Sequence, residues 1–492
     1  MTVQRELHDL WRYMEDLLVQ IQTESAATLA EWRPRIADQG FIGSASNLAA
    51  YLALRHRDLR PLQRKLMALG LSSLGRIESR VFPSLQALNA SLAAICGEKS
   101  KKWPSQDAFF AGETLIEQRS AAIFGVCPEE RPVALLCTCP SEAASDPAFM
   151  RMLAQHRVEA IRINCAHDDP DAWARMIGHA RAAESQAGHR MRIFMDLGGP
   201  KIRSGAVRTP GGGQRLYRND TFAVVPPGML DQPEVREFAF ATECTMSEAL
   251  PAVRRGEHLY FDDGKLGAVI ERSEPWGLLA RVTTCTTDGV KLQPEKGLNF
   301  PNTELNIPAL TAQDLKHLDF ISAEADGVGL SFVQSADDVA LLQDALAARR
   351  SDWWRLALIM KIETPRGVAP LPDIIMQSAG HQPAAIMIAR GDLAVEIGFT
   401  RLAEMQEEIL WLAEAAQVPV IWATQVLEHL IKKGRPSRGE MTDAAMGARA
   451  ECVMLNKGPY LAEAIDVLDT LLGRMDAHLH KKTPQLRPLK SW

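Results

Sequence analysis

Short apolar runs alternate with stretches of helical periodicity from residue 131 onward. Each run holds four to six residues bounded by turn residues, which is typical of a buried strand. The alternation indicates βα units that build a parallel sheet. Eight such units and a final helix at residues 462–479 predict an α/β fold with a closed (β/α)8 barrel of the TIM type, whose active site lies at the C-terminal ends of the strands. The runs occupy residues 132–137, 159–163, 191–195, 327–330, 356–360, 384–389, 418–422 and 451–455.

The sequence pattern changes between the third and fourth runs, at residues 205–295. Turns that contain glycine and aspartate, G-G-G at 211–213 and D-D-G at 262–264, interrupt alternating apolar and polar residues there. This pattern predicts a small β domain that is built from hairpins and inserted after the third barrel strand. We expect the insertion to act as a lid, because it follows the active-site end of the barrel and would exclude water from a substrate.

Residues 1–130 show helical periodicity throughout and predict an all-helical N-terminal region, with a short last helix at residues 113–124. An amphipathic bundle attached to a barrel must bury its apolar stripe, so we expect it to pack on the barrel or on a second subunit of a homo-oligomer. Apolar residues recur at spacings of three and four, namely Leu7, Leu10, Trp11, Met14, Leu17, Leu18 and Ile21, then Leu59, Leu62, Leu66 and Leu69. The predicted layout is a helical region at 1–130, a barrel at 131–204 and 296–480, a lid at 205–295 and a tail at 481–492.

The composition argues against several kinds of partner. A net charge of −6 and a pI near 6.1 give no electrostatic reason to expect nucleic acid. The sequence has no window of about 18 uncharged apolar residues, and its N-terminus carries acids without the apolar core of a signal peptide. We therefore expect a cytoplasmic protein with no membrane contact. The 8 cysteines are scattered, which favours reduced thiols over a disulfide framework or a zinc site.

Two neighbouring runs end in charged residues that suggest a reaction. Lys361 and Glu363 are two positions apart, so their side chains project from one face of a strand, and Arg390 and Asp392 follow the next run. Magnesium takes oxygen ligands and usually needs only one or two protein carboxylates. Glu363 and Asp392 therefore predict a metal site, with Lys361 beside it for a phosphoryl group. A salt-bridged strand end without a ligand is the alternative interpretation.

Polar residues follow nearly every other predicted strand, as a barrel active site requires. Arg162, Arg203 and Arg390 add positive charge for phosphate groups, although each could instead form a structural ion pair with an acid such as Asp196 or Glu396. The histidine of this set is either a helix cap or a catalyst. The full set is Arg162, Asn164, His167, Asp196, Lys201, Arg203, Ser331, Lys361, Glu363, Arg390, Asp392 and Thr424.

These segments together resemble the pyruvate kinase family, from about residue 132 to about residue 472. More than six motifs occur in the family's order, which makes the resemblance specific. In the barrel they are R-I-N-C-A-H, D-L-G-G-P-K-I-R-S-G, K-I-E-T-P-R-G-V, M-I-A-R-G-D-L-A-V-E-I, A-T-Q-V-L-E and R-P-S-R-G-E-M-T-D-A-A. In the lid and at its exit they are D-D-G-K, K-G-L-N-F-P and I-P-A-L-T-A-Q-D.

The resemblance implies transfer of a phosphoryl group between phosphoenolpyruvate and ADP, giving pyruvate and ATP. It assigns Mg²⁺ or Mn²⁺ to Glu363 and Asp392, and stabilisation of the transferred phosphoryl group to Lys361. Arg162 would hold phosphates, and Thr424 would lie near the proton that reaches the enolate carbon. These roles suit phosphoryl transfer, which depends mainly on positioning and charge neutralisation. The other substrate and nucleotide contacts that it implies are Asn164, His167, Arg203, Lys296, Ser331, Arg390, Gly391 and Asp392.

The sequence departs from the family pattern around the potassium ion. The family binds this ion with an asparagine, a serine, an aspartate and a threonine. Asn164 and Asp196 are kept, but Ala166 and Leu197 stand at the other two positions. Lys201 replaces the family's usual glutamate, and we expect its ammonium to lie near Asn164 and Asp196 as a substitute for potassium. We therefore expect no requirement for K⁺.

Two further departures bear on function. The loop after the last strand is shortened to L-N-K-G-P-Y, and the sequence ends soon after Leu479, so we expect no regulation by a phosphorylated sugar through the family's C-terminal domain. Two other functions stay open. One is a noncatalytic sensor that binds phosphoenolpyruvate or nucleotide and signals through the N-terminal helices. The other is a metal-dependent lyase or aldolase acting on pyruvate, against which the lid and Arg203 argue, because that chemistry needs no nucleotide.

Overall fold

The computed structural model describes residues 2–305 and 307–484, and its N-terminal region is helical, as predicted. Residues 485–492, the greater part of the predicted tail, lie outside the described residues. No helix in the described ranges is long and apolar enough to cross a membrane. The N-terminal helices are α1 (Thr2–Trp32), α2 (Ile42–Arg55), α3 (Arg60–Ala68), α4 (Val81–Ile95) and α5 (Gln106–Phe124).

Helix α5 closes the base of the barrel. It begins earlier than the predicted residue 113, because the Ser105 side chain caps it by accepting a hydrogen bond from the Ala108 N–H at 3.2 Å. Its last residue, Phe124, is fully buried and meets Phe194 of the third barrel strand edge to face, with ring centroids 5.9 Å apart. The N-terminal helices and the barrel share one continuous hydrophobic core.

The first barrel strands alternate with helices as β1 (Ala134–Thr138), α6 (Ala148–Gln155), β2 (Ala160–Asn164), α7 (Pro170–Ala187) and β3 (Arg192–Asp196). Every residue of β1 is buried, which suits a parallel strand covered on both faces. The strands β1, β2 and β3 pair in parallel, with Asn164 opposite Asp196. Polar side chains at the ends of β2 and β3 are therefore neighbours.

An antiparallel sheet follows β3 and has its own hydrophobic core. Its elements are β4 (Ser204–Arg208), β5 (Thr221–Val225), α8 (Pro233–Arg236), β6 (Ala241–Cys244), β7 (His258–Phe261), β8 (Leu266–Glu274), β9 (Gly277–Cys285) and β10 (Leu298–Asn299). The strand order among the described residues is β10-β7-β8-β9-β5-β6-β4, with one parallel pair, β5 and β6. We call this unit the inserted sheet; its role as a lid stays a prediction.

The remaining barrel elements repeat the βα alternation. They are α9 (Ala312–Glu324), β11 (Gly327–Leu330), α10 (Ala336–Ala347), β12 (Ala357–Ile362), α11 (Pro365–Val368), α12 (Leu371–Ala379), β13 (Ala384–Ala389), α13 (Arg390–Ile397), α14 (Phe399–Ala415), β14 (Val420–Ala423), α15 (Glu428–Lys433), α16 (Arg438–Met446), β15 (Cys452–Leu455) and α17 (Leu461–Asp476). In the described part of the chain, eight parallel strands close in the order β1-β15-β14-β13-β12-β11-β3-β2, which confirms the predicted barrel.

A hairpin of β16 (Leu479–His480) and β17 (Thr483–Pro484) follows the last helix. Its turn joins the N-terminal region to the barrel, because Lys482 pairs with Glu78 while Lys481 pairs with Glu451. Short 3-10 helices complete the described chain at Arg33–Arg35, Gln39–Phe41, Glu78–Arg80, Ser141–Ala144, Pro210–Gly212, Ser247–Ala252, Trp353–Arg355 and Gly447–Arg449. The predicted domain boundaries stay predictions.

Candidate active site

Asp196 is the centre of a buried charge cluster at the C-terminal end of the barrel. Its Oδ2 accepts a hydrogen bond from Arg162 Nε at 2.6 Å and lies 3.5 Å from Lys361 Nζ. Burial alone would raise the pKa of Asp196, but the Arg162 and Lys361 charges outweigh it and lower the pKa below the usual aspartate value. Asp196 is therefore a fixed anion that positions both cations. A structural ion pair with Asp196 was the alternative to phosphate binding for Arg162.

Lys361 points into the same cluster from the end of β12 and is only 7% exposed. Its Nζ donates to Ser331 Oγ at 2.8 Å and lies 3.0 Å from Glu363 Oε1. Burial disfavours the charged ammonium, but the Glu363 and Asp196 carboxylates outweigh it and raise the pKa of Lys361. Ser331 in turn donates to the Leu197 carbonyl at 2.8 Å. The lysine is thus held charged and in one place.

Glu363 follows Lys361 just beyond β12 and is almost fully buried. Its Oε2 accepts a hydrogen bond from the Phe332 N–H at 2.7 Å. Burial and the nearby Asp392 carboxylate raise the pKa of Glu363, although Lys361 opposes that shift. A buried glutamate beside a second carboxylate offers the oxygen ligands that a divalent cation prefers.

Asp392 lies in the first turn of α13, which begins at once after β13. Lys201 Nζ contacts Asp392 Oδ1 at 2.8 Å and lies 5.9 Å from the centre of the Phe332 ring. Its ammonium therefore pairs with the second predicted metal ligand; no hydrogen bond or ion pair joins it to Asn164 or Asp196 in the described ranges. Glu363 and Asp392 form a pair rather than a larger cluster, since the described residues contain no group of three or more His, Cys, Asp or Glu that could hold a metal.

Arg390 turns away from this cluster. Its guanidinium forms an ion pair with Asp443, donates to the Thr424 carbonyl at 2.8 Å and lies 4.3 Å from the centre of the Trp422 ring. The adjacent Gly391 N–H donates to Thr424 Oγ1 at 2.6 Å. A phosphate contact from Arg390 would require it to leave these partners, so its position is that of a structural residue that holds Thr424.

A cavity of about 340 Å³ opens beside Arg162 at the barrel mouth. Arg162, Asn164 and His167, three of the predicted site residues, line it together with Lys457. Burial lowers the pKa of His167, and the Lys457 and Arg203 charges lower it further, so the neutral imidazole is favoured. Lys457 lies in the shortened loop after β15 and was missed as a site residue. The basic side chain in that loop was the signal in the sequence that could have indicated it.

Arg203 and Lys296 both lie at the junction of the barrel and the inserted sheet. Arg203 donates to the Glu295 carbonyl at 3.0 Å, and Lys296 Nζ lies 3.3 Å from Asp262 Oδ1. Neither contacts the buried cluster around Asp196 in the described structure. The contact between Arg203 and Glu295 joins the two segments through which the chain enters and leaves the inserted sheet.

The inserted sheet also rests on α13, the helix that carries Asp392. Asn299 of β10 donates from Nδ2 to Glu396 Oε1 at 2.9 Å. The Gly264 turn approaches Val395, since a Cβ at Gly264 would lie 3.7 Å from a Val395 methyl. Burial raises the pKa of Glu396 to about 7, and the Asp392 carboxylate adds to the shift. Asn299 was missed as a site residue, because nothing local to β10 indicates a partner on α13.

Comparisons with known proteins place the chain beside one family. Residues 130–465 match the family model described as pyruvate kinase, barrel domain. Pyruvate kinase of Corynebacterium efficiens is 32% identical over 66% of this chain and 65% of its own length. Pyruvate kinase of Agrobacterium vitis is 32% identical over 68% of each chain, and pyruvate kinase PKLR of Rattus norvegicus is 30% identical over 65% of this chain and 56% of its own. The chain thus spans about two thirds or less of the length of these relatives.

Proposed function

The chain belongs to the pyruvate kinase family, and we propose that it transfers a phosphoryl group between phosphoenolpyruvate and ADP, giving pyruvate and ATP. One observation carries this proposal. Lys361 is a buried, charged lysine held between Asp196, Glu363 and Ser331 at the mouth of a barrel, where it can neutralise charge on a transferred phosphoryl group.

The proposed reaction depends on a divalent cation. Glu363 and Asp392 would hold Mg²⁺ or Mn²⁺, which would supply positive charge to the enolate and phosphoryl oxygens. Lys201 contacts only Oδ1 of Asp392, so Oδ2 stays available to a metal. Lys361 contacts Oε1 of Glu363 and keeps that carboxylate oriented toward the same region.

In the direction of ATP synthesis, an oxygen of the terminal ADP phosphate attacks the phosphorus of phosphoenolpyruvate. The bond between phosphorus and the enol oxygen breaks, and the enolate takes a proton at carbon to give pyruvate. Lys361 and Arg162 stabilise the charge that spreads over the phosphoryl oxygens. Thr424, whose Oγ1 is oriented by the Gly391 N–H, is the proposed neighbour of the proton that reaches carbon.

The mouth cavity suits the nucleotide. Asn164, His167 and Arg162 line it, and Lys457 supplies a further cation for phosphates. Arg203 and Lys296 would reach the substrate when the inserted sheet moves as a lid over the barrel mouth, which would also exclude water. Ser331 acts by orienting Lys361, and Arg390 acts by holding the Thr424 backbone.

We further propose that the reaction needs no potassium ion. Ala166 and Leu197 offer no side-chain oxygen where the resemblance places two potassium ligands. Lys201 already places an ammonium beside Asp392, and a covalently attached charge needs no ion from solution. The proposed setting is the cytoplasm. We also propose a homo-oligomer, in which a second subunit would cover exposed apolar side chains of the N-terminal helices such as Tyr13 and Met67.

One observation favours a second function, a noncatalytic sensor of phosphoenolpyruvate or nucleotide. The predicted metal ligands already pair with Lys361 and Lys201, so the cluster is electrostatically balanced without a cation. A coupled assay for ATP formed from phosphoenolpyruvate and ADP, with and without Mg²⁺, separates the two functions. We expect Mg²⁺-dependent ATP formation that the Lys361→Met substitution abolishes. Binding of phosphoenolpyruvate without any ATP formation would favour the sensor.

A further inference from the structure

A second cavity lies at the base of the barrel, between the N-terminal region and the strand starts. It has a volume of about 710 Å³ and is lined by Asp38, Arg119, Trp353, Trp354, Arg355 and His381, among others. Ala384, the first residue of β13, and Val418, just before β14, also line it. This base cavity is therefore at the opposite end of the barrel from Lys361 and Asp392. Its volume falls in the range of small-molecule sites, roughly 300–1,000 Å³.

Arg119 of α5 contributes a half-buried charge that lacks an anionic partner among the described residues. Its Nη1 donates to Ser44 Oγ at 2.9 Å and to the carbonyls of Ala416 and Gln417 at 3.2 and 2.9 Å. All three partners are neutral, and they use one nitrogen of the guanidinium. No carboxylate of the described residues lies within ion-pair distance of it, so burial lowers the pKa of Arg119 to about 10, opposed only by the more distant Asp38. A guanidinium in this state is stabilised by any anion that reaches it.

A second cation and an aromatic ring lie on the same cavity wall. Arg355 is exposed, and Asp352, the nearest acid in the sequence, pairs with Arg350 instead. Within the described chain Arg355 therefore has no ion pair. Trp354 lines the same cavity and is 48% exposed, so its ring offers flat apolar surface to a bound molecule.

We propose that the base cavity binds a small organic anion that carries a flat ring, with the anionic group on Arg119 and Arg355 and the ring against Trp354. The charge and the ring are both required, because the cations select the anion while the tryptophan supplies flat apolar surface. The proposal concerns a second site and does not depend on the proposed phosphoryl transfer. Its ligand would bind near the starts of β12 and β13. Lys361 lies at the other end of β12, and Asp392 follows the other end of β13.

Isothermal titration calorimetry on the full chain with phenyl phosphate as the probe tests this proposal. Arg355→Ala and Trp354→Ala alter exposed side chains and leave the fold unchanged. Trp103→Ala is the matched control, since Trp103 is 56% exposed and does not line the cavity. We expect both base variants to weaken one binding event by roughly tenfold or more, which a lost charged contact would produce.

The Trp103→Ala control should bind phenyl phosphate as the unmodified protein does. Inorganic phosphate alone and phenol alone should each bind more weakly than phenyl phosphate, because each offers only half of the proposed contacts. Unchanged titrations of both base variants would overturn the proposal. So would the absence of any binding of phenyl phosphate at millimolar concentration to the unmodified protein.

Discussion

Lys201 Nζ lies 2.8 Å from Asp392 Oδ1, which joins the residue that leads into the inserted sheet to the carboxylate that begins α13. Both side chains are partly buried, at 25% and 20% exposure, so solvent screens the pair only in part. The contact places a permanent positive charge next to a proposed metal ligand. This contact is the basis of the proposal that Lys201 replaces an ion from solution.

The first prediction concerns that charge. The unmodified protein should form ATP equally well in sodium, tetramethylammonium or potassium salts. Lys201→Glu should lower the rate by roughly a hundredfold, as expected for loss of one preorganised positive group, and potassium should not restore it because Ala166 offers no ligand. Steady-state rates in the three salts measure this. A many-fold rise in the rate of the unmodified protein on adding potassium would refute it.

The second prediction is a pH dependence of stability at the contact between Glu396 and Asn299. The pKa of Glu396 is raised from 4.5 to about 7 in the folded protein, so the folded state favours the protonated carboxyl. The resulting stability is fully present below about pH 4.5 and is lost as the pH rises through about 7. Glu396→Gln keeps the acceptor oxygen and stays neutral, so above about pH 8 it should be more stable by up to about 3 kcal/mol.

Urea unfolding of the unmodified protein and Glu396→Gln across that pH range measures the difference. The two proteins should have the same stability below about pH 4.5. Glu404→Gln, at an exposed position of α14, is the matched control and should change little at either pH. A Glu396→Gln advantage that is greatest at acidic pH would contradict the argument.

The third prediction concerns Arg390, whose side chain is 10% exposed and pairs with Asp443. Asp443→Ala leaves that guanidinium without its anion and should destabilise the protein by about 2 kcal/mol, less than a fully buried pair because Asp443 is itself 33% exposed. It should also lower kcat, because Arg390 holds the Thr424 carbonyl. Asp344→Ala, at an exposed position of α10, is the control. An equal effect of both substitutions on stability would argue against this role.

The fourth prediction tests the closure of the barrel base by α5. Phe124 is fully buried against Phe194, so Phe124→Ala should cost about 4 kcal/mol of unfolding free energy. Phe399→Ala is the matched control, since Phe399 is 81% exposed. Thermal unfolding of both variants measures the difference. A Phe124→Ala midpoint equal to that of the control would show that α5 does not support the barrel.

The barrel could be predicted because its signal is local. Each strand is a short apolar run, and the position of Lys361 two residues before Glu363 fixes both side chains on one face, which the 3.0 Å contact between them reflects. The start of α13 was less clear. Arg390 and Asp392 were expected to follow the end of a strand. They do, but they also form the first turn of a helix that begins directly at that end.

The partners of individual charges could not be predicted, because they depend on packing between distant parts of the chain. Lys201 and Asp392 are 191 positions apart, and Arg390 meets Asp443 across 53 positions. The spacing of Lys201 from Asp196 suggested that the two lie close together, but the ion pair that Lys201 forms in the described structure is with Asp392. The base cavity could not be predicted from the sequence either, since Arg119 and Arg355 come to line one cavity only when the N-terminal helices pack on the barrel.

Phosphorus NMR on the purified protein with phosphoenolpyruvate, ADP and Mg²⁺ tests the central claim most directly, because it follows the phosphoryl group from one molecule to the other. We expect the phosphoenolpyruvate resonance to decline as the ATP resonances grow, and Glu363→Ala and Asp392→Ala to stop this exchange while the barrel stays folded by circular dichroism. Asp344→Ala should behave as the unmodified protein does. A folded protein that forms no ATP, or two carboxylate variants that keep their rates within about tenfold, would contradict the account.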